Sequence, residues 1–256
     1  MKTFRHLPLL LASLLAATAY AGDATTTIVP PPAPNPAGAI EVIIPCKIHR
    51  TTPVRYPISL MREGISNGEA RVLINIDSNG QLTESMVLGY TQKPFADAAV
   101  AAIGEWRYEA SRYGNETVGT VADITFRFEI DGVLLVERIG VPRFSQTDSF
   151  GPAYIYKPHG LRTLDSIPTP IQVTQPIYPK EWIEKGLRGS VIVDFYIDET
   201  GAVRMPSVTT PQNPALASAA AAAVREWRFA PPLHKGRPVL AHCQQVFKFE
   251  PQDEKH

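Results

Sequence analysis

The chain has 256 residues, 44% of them hydrophobic, with 24 prolines and two cysteines, and its 25 basic and 25 acidic residues give a formal net charge of +0. With a pI near 7.0 and no basic run, it lacks the clustered positive face that nucleic-acid phosphates require. The length accommodates two domains of modest size.

Residues 1–21 have the pattern of an export signal: Lys2 and Arg5 form a positive end, Leu7 to Ala17 an apolar core, and Ala19-Tyr20-Ala21 a small-x-small cleavage site. Cleavage after Ala21 would leave an exported mature protein. The alternative is an uncleaved membrane anchor, but the apolar stretch, interrupted by Pro8, falls short of the ~20 residues that span a bilayer. No later segment is long and apolar enough to span. Residues 22–50 form a leader whose Pro30-Pro31-Pro32-Ala33-Pro34-Asn35-Pro36 run favours an extended polyproline II spacer.

From there the chain states one pattern twice. Tyr56-Pro57, Gly64, Gly68, Ile76-Asp77, Gly80, Glu105-Trp106-Arg107-Tyr108 and Phe126-Arg127-Phe128-Glu129 return as Tyr178-Pro179, Gly186, Gly189, Ile197-Asp198, Gly201, Glu226-Trp227-Arg228-Phe229 and Phe247-Lys248-Phe249-Glu250. The period is far longer than the roughly 20 to 50 residues of solenoids and propellers, so it marks a duplicated domain. We expect copy one over 51–130, a connector over 131–173, copy two over 174–250, and a charged tail over 251–256.

Each copy predicts the same elements. Pro57 to Arg62 and Pro179 to Lys185 start with proline and stop at Gly64 or Gly186, the signature of short helices. A strand follows, with Ala70, Val72, Ile74 and Ile76 alternating with Arg71, Leu73 and Asn75, and Val191, Val193, Phe195 and Ile197 alternating with Ile192, Asp194 and Tyr196. One face of each therefore meets a core. The turns Asp77-Ser78-Asn79-Gly80 and Asp198-Glu199-Thr200-Gly201 predict hairpins, returning as strands over Leu82 to Gly89 and Ala202 to Thr209.

Next come helices with a 3.6-residue apolar period: Phe95, Ala99, Ala102, Ile103 and Trp106, then Leu216, Ala220, Ala223, Val224 and Trp227. The final strands are Val118 to Glu129 and Val239 to Glu250. The fold class is α+β: two tandem small domains, each a three-stranded antiparallel sheet with helices packed on one face. In the connector, Ile130-Asp131-Gly132-Val133 signals a further hairpin that would return Val133 to Val136 along copy one's last strand and cover its edge. Pro152 to Pro170 has the composition of an interdomain linker.

Residues for catalysis are few. His49, His159, His234 and His242 lack partners at metal-ligand spacing, and no nucleophile elbow or phosphate-cradling loop occurs, so we expect no enzyme, no metal and no cofactor. Asp77 and Asp198 open turns that their own side chains would cap. Trp106 and Trp227 fall on the apolar stripes, with Arg107 and Arg228 at helix ends that favour cations. For Cys46 and Cys243 two outcomes stay open in an oxidising compartment: a disulfide between them, or a buried thiol at Cys243, which shares strand parity with Phe247 and Phe249.

The sheet edges carry more information. An uncovered edge strand is a liability unless used, and when used it recruits an extended peptide by strand addition. Copy two has no covering hairpin signal after Glu250, and its last strand carries Ala241-His242-Cys243-Gln244-Gln245-Val246 without proline. His242, Gln244, Gln245 and Val246 are therefore candidate partner-binding residues. The opposing expectation is an edge left to solvent or closed by the other copy.

The ordered set of Tyr-Pro, glycines, Gly189-Ser190-Val191-Ile192-Val193-Asp194-Phe195-Tyr196-Ile197-Asp198-Glu199-Thr200-Gly201, Trp227-Arg228-Phe229-Ala230-Pro231 and Gly236-Arg237-Pro238-Val239 resembles the C-terminal domain of TonB, the energy transducer of Gram-negative periplasms, and its TolA-like relatives. The resemblance spans Thr52 to Glu129 and Thr174 to Glu250. Gln175-Pro176-Ile177-Tyr178-Pro179 looks like the segment through which TonB domains approach outer-membrane receptors. The resemblance thus implies Gln175, Pro176, Tyr178 and Pro179 as binding residues and periplasmic segments of TonB-dependent receptors as partners. Copy one has Pro53-Val54-Arg55-Tyr56-Pro57 there and lacks the Gln-Pro lead-in. The chain shows neither the membrane helix nor the long Pro-rich region of an energy transducer, so a structural adaptor or homodimer that uses the sheet edges for assembly is the alternative.

Overall fold

The computed structural model describes residues 17–18, 43–139, 150–208 and 213–250. Most of the signal segment, residues 22–42 of the Pro-rich leader, Thr209 at the end of one expected strand and the charged tail lie outside these residues.

Copy one runs α1 (Ile58–Arg62), β1 (Asn67–Ile76), β2 (Leu82–Tyr90), α2 (Lys93–Glu105) and β3 (Thr120–Glu129), followed by β4 (Gly132–Ile139). Its sheet has the order β4-β3-β1-β2, antiparallel throughout. After the short connector strand β5 (His159–Gly160), copy two repeats the plan as α3 (Lys180–Glu184), β6 (Gly189–Ile197), β7 (Val203–Val208), α4 (Pro214–Arg225) and β8 (Ala241–Phe249). Its core sheet is β8-β6-β7, also antiparallel. The two copies are thus α+β units built on a three-stranded antiparallel sheet, and copy one carries a fourth strand.

The turns form as side-chain chemistry dictates. The Asp77 carboxylate accepts the backbone N–H groups of Asn79 and Gln81, both at 2.8 Å, and Asp198 accepts those of Thr200 and Ala202, both at 3.0 Å. These bonds, that of Gln81 foremost, hold the Asp77 carboxyl below its ordinary range. Gly80 and Gly201 supply the positive φ, at 78° and 86°. Asn213 caps α4, its side chain accepting from Ala215 and Leu216.

Each helix buries its apolar stripe on one sheet face. Val72, Ile74, Phe95, Ala99, Ile103, Trp106, Phe126 and Phe128 share the first core, and Val193, Phe195, Leu216, Ala220, Val224, Trp227, Phe247 and Phe249 share the second. Cys46 sits in the first core and Cys243 in the second; both are buried free thiols, so the disulfide alternative is not formed.

The opposite faces of the sheets are buried as well, against each other. Leu73, Met86 and Leu88 from copy one meet Tyr196, Met205 and Leu240 from copy two in a third apolar cluster, which includes Phe150 and Tyr156 of the connector. The molecule is therefore layered helix, sheet, sheet, helix. The expectation of a single buried face per strand is too small, and the copies meet face to face rather than edge to edge.

Two charged groups on the junction face of copy one are paired with each other. Arg71 Nε donates to both Asp123 oxygens at 2.8 and 2.9 Å, with the Phe150 ring 5.2 Å from the guanidinium carbon. The connector straps the layers: Tyr154 donates to Glu69, Tyr156 stacks on Tyr90 at 5.0 Å and donates to Glu199 of copy two. At Gly89 a Cβ would lie 2.6 Å from the Phe150 ring, so glycine there admits the strap.

Candidate functional site

The outer edges of β3 and β8 occupy equivalent places, but different chain segments lie on them. On β3, all of β4 is paired, from Gly132 opposite Glu129 to Ile139 opposite Ala122. The turn between them needs only Ile130 and Asp131. Val133 and Leu135 point to the helix side and pack on the first core, while Leu134 and Val136 face away and are 60% and 37% exposed.

On β8 the described contacts are short and lie toward its ends. His159–Gly160 pairs parallel with Ala241–His242, tied by the His159 N–H to the Leu240 carbonyl at 2.8 Å. Ala17–Thr18, within the expected signal, pairs parallel with Phe247–Lys248. Cys243–Val246 runs between these two contacts. Its parity follows the pairing with β6: Cys243, like Phe247 and Phe249, packs in the helix-side core, while His242 and Gln244 face the other way and both contact the buried Asp194 carboxylate, at 3.2 and 2.7 Å. Gln244 is exposed, and Gln245 and Val246 are half-buried.

The lead-in segments reach these edges through a device the sequence reading missed. Each repeated tryptophan is buried in its core, yet its indole N–H donates to a lead-in carbonyl: Trp106 to Thr52 at 2.8 Å, Trp227 to Thr174 at 2.7 Å. The signal was present, because a buried indole needs an acceptor. The acceptor lies more than fifty residues away along the chain, where periodicity has no reach. Short strands strengthen the same anchorage, Lys47–His49 pairing with Arg107–Glu109 and Pro170–Gln172 with Arg228–Phe229.

Of the lead-in residues, Gln175 and Ile177 are exposed, Pro179 is half-buried at the N-cap position of α3, and Pro176 and Tyr178 are buried. Tyr178 is a core residue: its ring meets Phe249 edge-on at 5.4 Å and its hydroxyl donates to the Leu187 carbonyl. Tyr56 does the same in copy one, donating to Ile65 at 2.6 Å. The repeated Tyr-Pro is thus a structural element, and among the four predicted lead-in residues Gln175 is the exposed one.

In copy one a cleft of about 240 Å³ opens between lead-in and edge, lined by Arg50, Thr52, Pro53, Val54, Trp106, Val133 and Leu135. Arg50 closes one side by pairing with Glu137 of β4 at 2.6 Å. Counting along the repeat, Thr174, Gln175, Pro176 and Trp227 hold the corresponding positions in copy two. Among the described residues no group of His, Cys, Asp and Glu side chains could hold a metal ion, and no helix is long and apolar enough to cross a membrane. These arrangements supply main-chain donors and acceptors, apolar rims and amides, the chemistry of polypeptide recognition.

No curated protein matches the chain. A solution NMR structure of the Pseudomonas aeruginosa TonB CTD aligns at 24% identity over 38% of this chain and 97% of that one, with a TM-score of 0.32. The family model described as Gram-negative bacterial TonB protein C-terminal matches twice, at residues 52–130 and 174–251. The chain belongs to this TonB C-terminal family, with two tandem copies of its domain.

Proposed function

We propose that this is a periplasmic, non-enzymatic protein-binding module, linked to TonB-dependent outer-membrane transport, that captures an extended peptide by strand addition at β8 of copy two. The observation that carries this reading is the contrast between the two edges: a full strand lies on β3, whereas the described contacts on β8 are two short segments toward its ends. One of those segments, Ala17–Thr18, belongs to the stretch that cleavage after Ala21 would remove. Main-chain groups along an edge give affinity without regard to sequence, and flanking side chains such as Gln175 and Gln244 select among partners. Periplasmic segments of TonB-dependent receptors are the partners the family suggests.

Successive N–H groups of a strand point to opposite neighbours. Of Gln244→Pro and Gln245→Pro, one therefore removes a donor from the outer edge and the other from the β6 ladder. Capture of receptor periplasmic peptides by the periplasmic protein should be lost in the variant that still melts close to wild type. Equal capture by that variant and wild type would sink the strand-addition reading. The second reading, a structural adaptor or homodimer, has the exposed Leu134, Val136 and Ile139 of β4 in its favour. Light scattering on the purified protein separates the two, since a stable dimer is required by the adaptor alone.

A further inference from the structure

The connector is fastened to copy two by a clasp that contains two imidazoles. Leu233–His234 pairs antiparallel with Arg237–Pro238, and the turn between them holds two consecutive left-handed residues, Lys235 at φ 51° and Gly236 at φ 71°. Successive N–H groups in such a turn form a cradle for an anion. Asp165 of the connector fills it, one carboxylate oxygen accepting from Lys235 and the other from Gly236, both at 2.7 Å. Its own N–H donates to the Leu233 carbonyl at 2.8 Å. At the other end of the clasp, His159 is tied to Leu240 and Ala241 by its main chain.

Between these anchors the rings of His159 and His234 lie against each other, with centroids 4.5 Å apart and planes inclined by 35°. His234 Nδ1 is 2.6 Å from the Thr163 carbonyl oxygen. A carbonyl only accepts, so Nδ1 carries a proton and the second proton of an imidazolium goes on Nε2. The Thr163 hydroxyl, which donates to the Gly160 carbonyl at 2.8 Å, lies 3.4 Å from His159 Nδ1. Neutral, the two rings stack; doubly protonated, they set two positive charges within stacking distance.

The neighbouring charges sharpen this conflict. Lys157, Arg162, Lys235 and Arg237 on the same elements are all basic, and the His242 imidazole, across the β5 pairing, is turned to the buried Asp194. Asp165, the acid of the clasp, attracts an imidazolium at His234, which leaves His159 to bear the repulsion. The N–H groups of Gly236 and Lys235 hold the Asp165 carboxyl below its ordinary range. It therefore stays charged between about pH 5 and 8, where imidazoles change charge.

We propose that His159 and His234 make this clasp an acid-opened latch, which holds residues 157–165 on copy two at neutral pH and releases them in mildly acidic conditions. Burial, the His234 ring and Lys157, in that order, keep the docked His159 imidazole below its ordinary 6.5. A base in that position binds fewer protons docked than free. The latch therefore holds fully above about pH 7 and weakens as pH falls below the ordinary value, its opening constant growing by up to about tenfold per pH unit.

Opening acts locally. Upstream, the strap of Tyr154 and Tyr156 onto Glu69, Tyr90 and Glu199 contains no imidazole, so the copies stay joined. Downstream, the chain passes through Pro170–Gln172 on Arg228–Phe229 to Thr174 and the exposed Gln175. Release of the connector thus loosens the approach to the lead-in of copy two while both cores persist. Copy one is built differently: aligning Trp106 with Trp227 places Tyr113 where copy two has His234, and main-chain pairing with Ile43–Ile44 holds that hairpin.

The test uses the purified full chain. Amide exchange at about pH 7.5 and about pH 5.5 is followed by mass spectrometry and divided by that of the same peptides unfolded at each pH. Peptides covering 157–165 and 233–238 should lose protection by about three- to tenfold on acidification, while those covering 111–118 keep theirs. His159→Phe keeps a ring without a titrating proton and should stay protected at both pH values. By proton NMR the His159 ring should titrate below 6.5 and move toward it in His234→Gln, which keeps a donor for the Thr163 carbonyl without the charge.

No acid response in wild type, an equal response in His159→Phe, an equal loss of protection over 111–118, or a His159 midpoint at or above 6.5 would overturn the inference. Should His159→Phe fail to fold, the NMR titration of wild type and His234→Gln decides.

Discussion

Arg204 of β7 reaches across the junction between the copies, donating from Nε to Glu84 at 2.6 Å and from Nη2 to the Ser85 carbonyl at 3.1 Å. The pair is partly exposed and contributes little alone. It marks the rim of an apolar contact whose centre includes Leu73, fully buried on the face of β1 that points away from its own helix. Leu73→Ala should cost about 2–5 kcal/mol through the cavity it leaves. Because the side chain belongs to the junction, the loss should split one thermal transition into two, one per copy. Calorimetry of the variant beside Arg204→Ala, which should melt near wild type, checks both parts.

Trp227→Phe keeps an aromatic ring in the second core but leaves the Thr174 carbonyl without its indole donor. The expected cost is about 1–2 kcal/mol for the lost bond. Amide exchange at Gln175 and Ile177 should accelerate, while copy one stays protected. Trp106→Phe should give the mirror result at Val54 and Arg55. Unchanged exchange in both variants would mean that the indoles only fill space.

The helix-side cores were legible because alternation and the 3.6-residue period are local signals, and Val72, Ile74, Phe95, Ile103 and Phe126 took their places accordingly. The opposite sheet face was not. Arg71, Asn75 and Asp123 give it the polarity of a solvated surface, yet Arg71 and Asp123 are buried because a bidentate ion pair satisfies both groups. Burial by another domain leaves no periodic trace in a strand. The candidate site was legible in part for the same reason. Main-chain edges follow from strand order, but whether the lead-in faces a partner or a core depends on the Tyr178 ring meeting Phe249 and the Trp227 indole holding Thr174, both distant in sequence.

Gly201 and Gly186 have similar backbone angles, with φ of 86° and 70°, but different surroundings. A Cβ at Gly201 would lie 1.9 Å from the Phe229 carbonyl oxygen, whereas nothing lies within 4 Å at Gly186. Gly186→Ala should therefore cost only the left-handed backbone penalty, about 1–2 kcal/mol. Gly201→Ala should cost more than that, because the Asp198 turn must move off the strand at Phe229 and break the 2.9 Å bond from the Phe229 N–H to the Gly201 carbonyl. Urea denaturation of the two variants gives the comparison, and equal midpoints would show that the turn yields freely.

Burial pushes the Cys243 thiol from its ordinary 9.0 up to about 12, and raises that of Cys46 as well, with Glu137 adding to the effect. A thiol whose folded pKa is raised stays protonated in the fold while the unfolded chain loses its proton. Folding therefore keeps its full stability below about pH 9 and loses it as pH climbs from there toward 12, at a slope approaching 1.4 kcal/mol per pH unit per thiol. Cys243→Ala should flatten that alkaline decline, since alanine stands at the equivalent Ala122 and has no proton to lose. In the native protein at pH 8 neither thiol should react with iodoacetamide, and both should react in guanidinium. Rapid native alkylation at Cys243 would mean that β8 opens from the core, and would move the peptide-binding edge from a preformed strand to one that orders on binding.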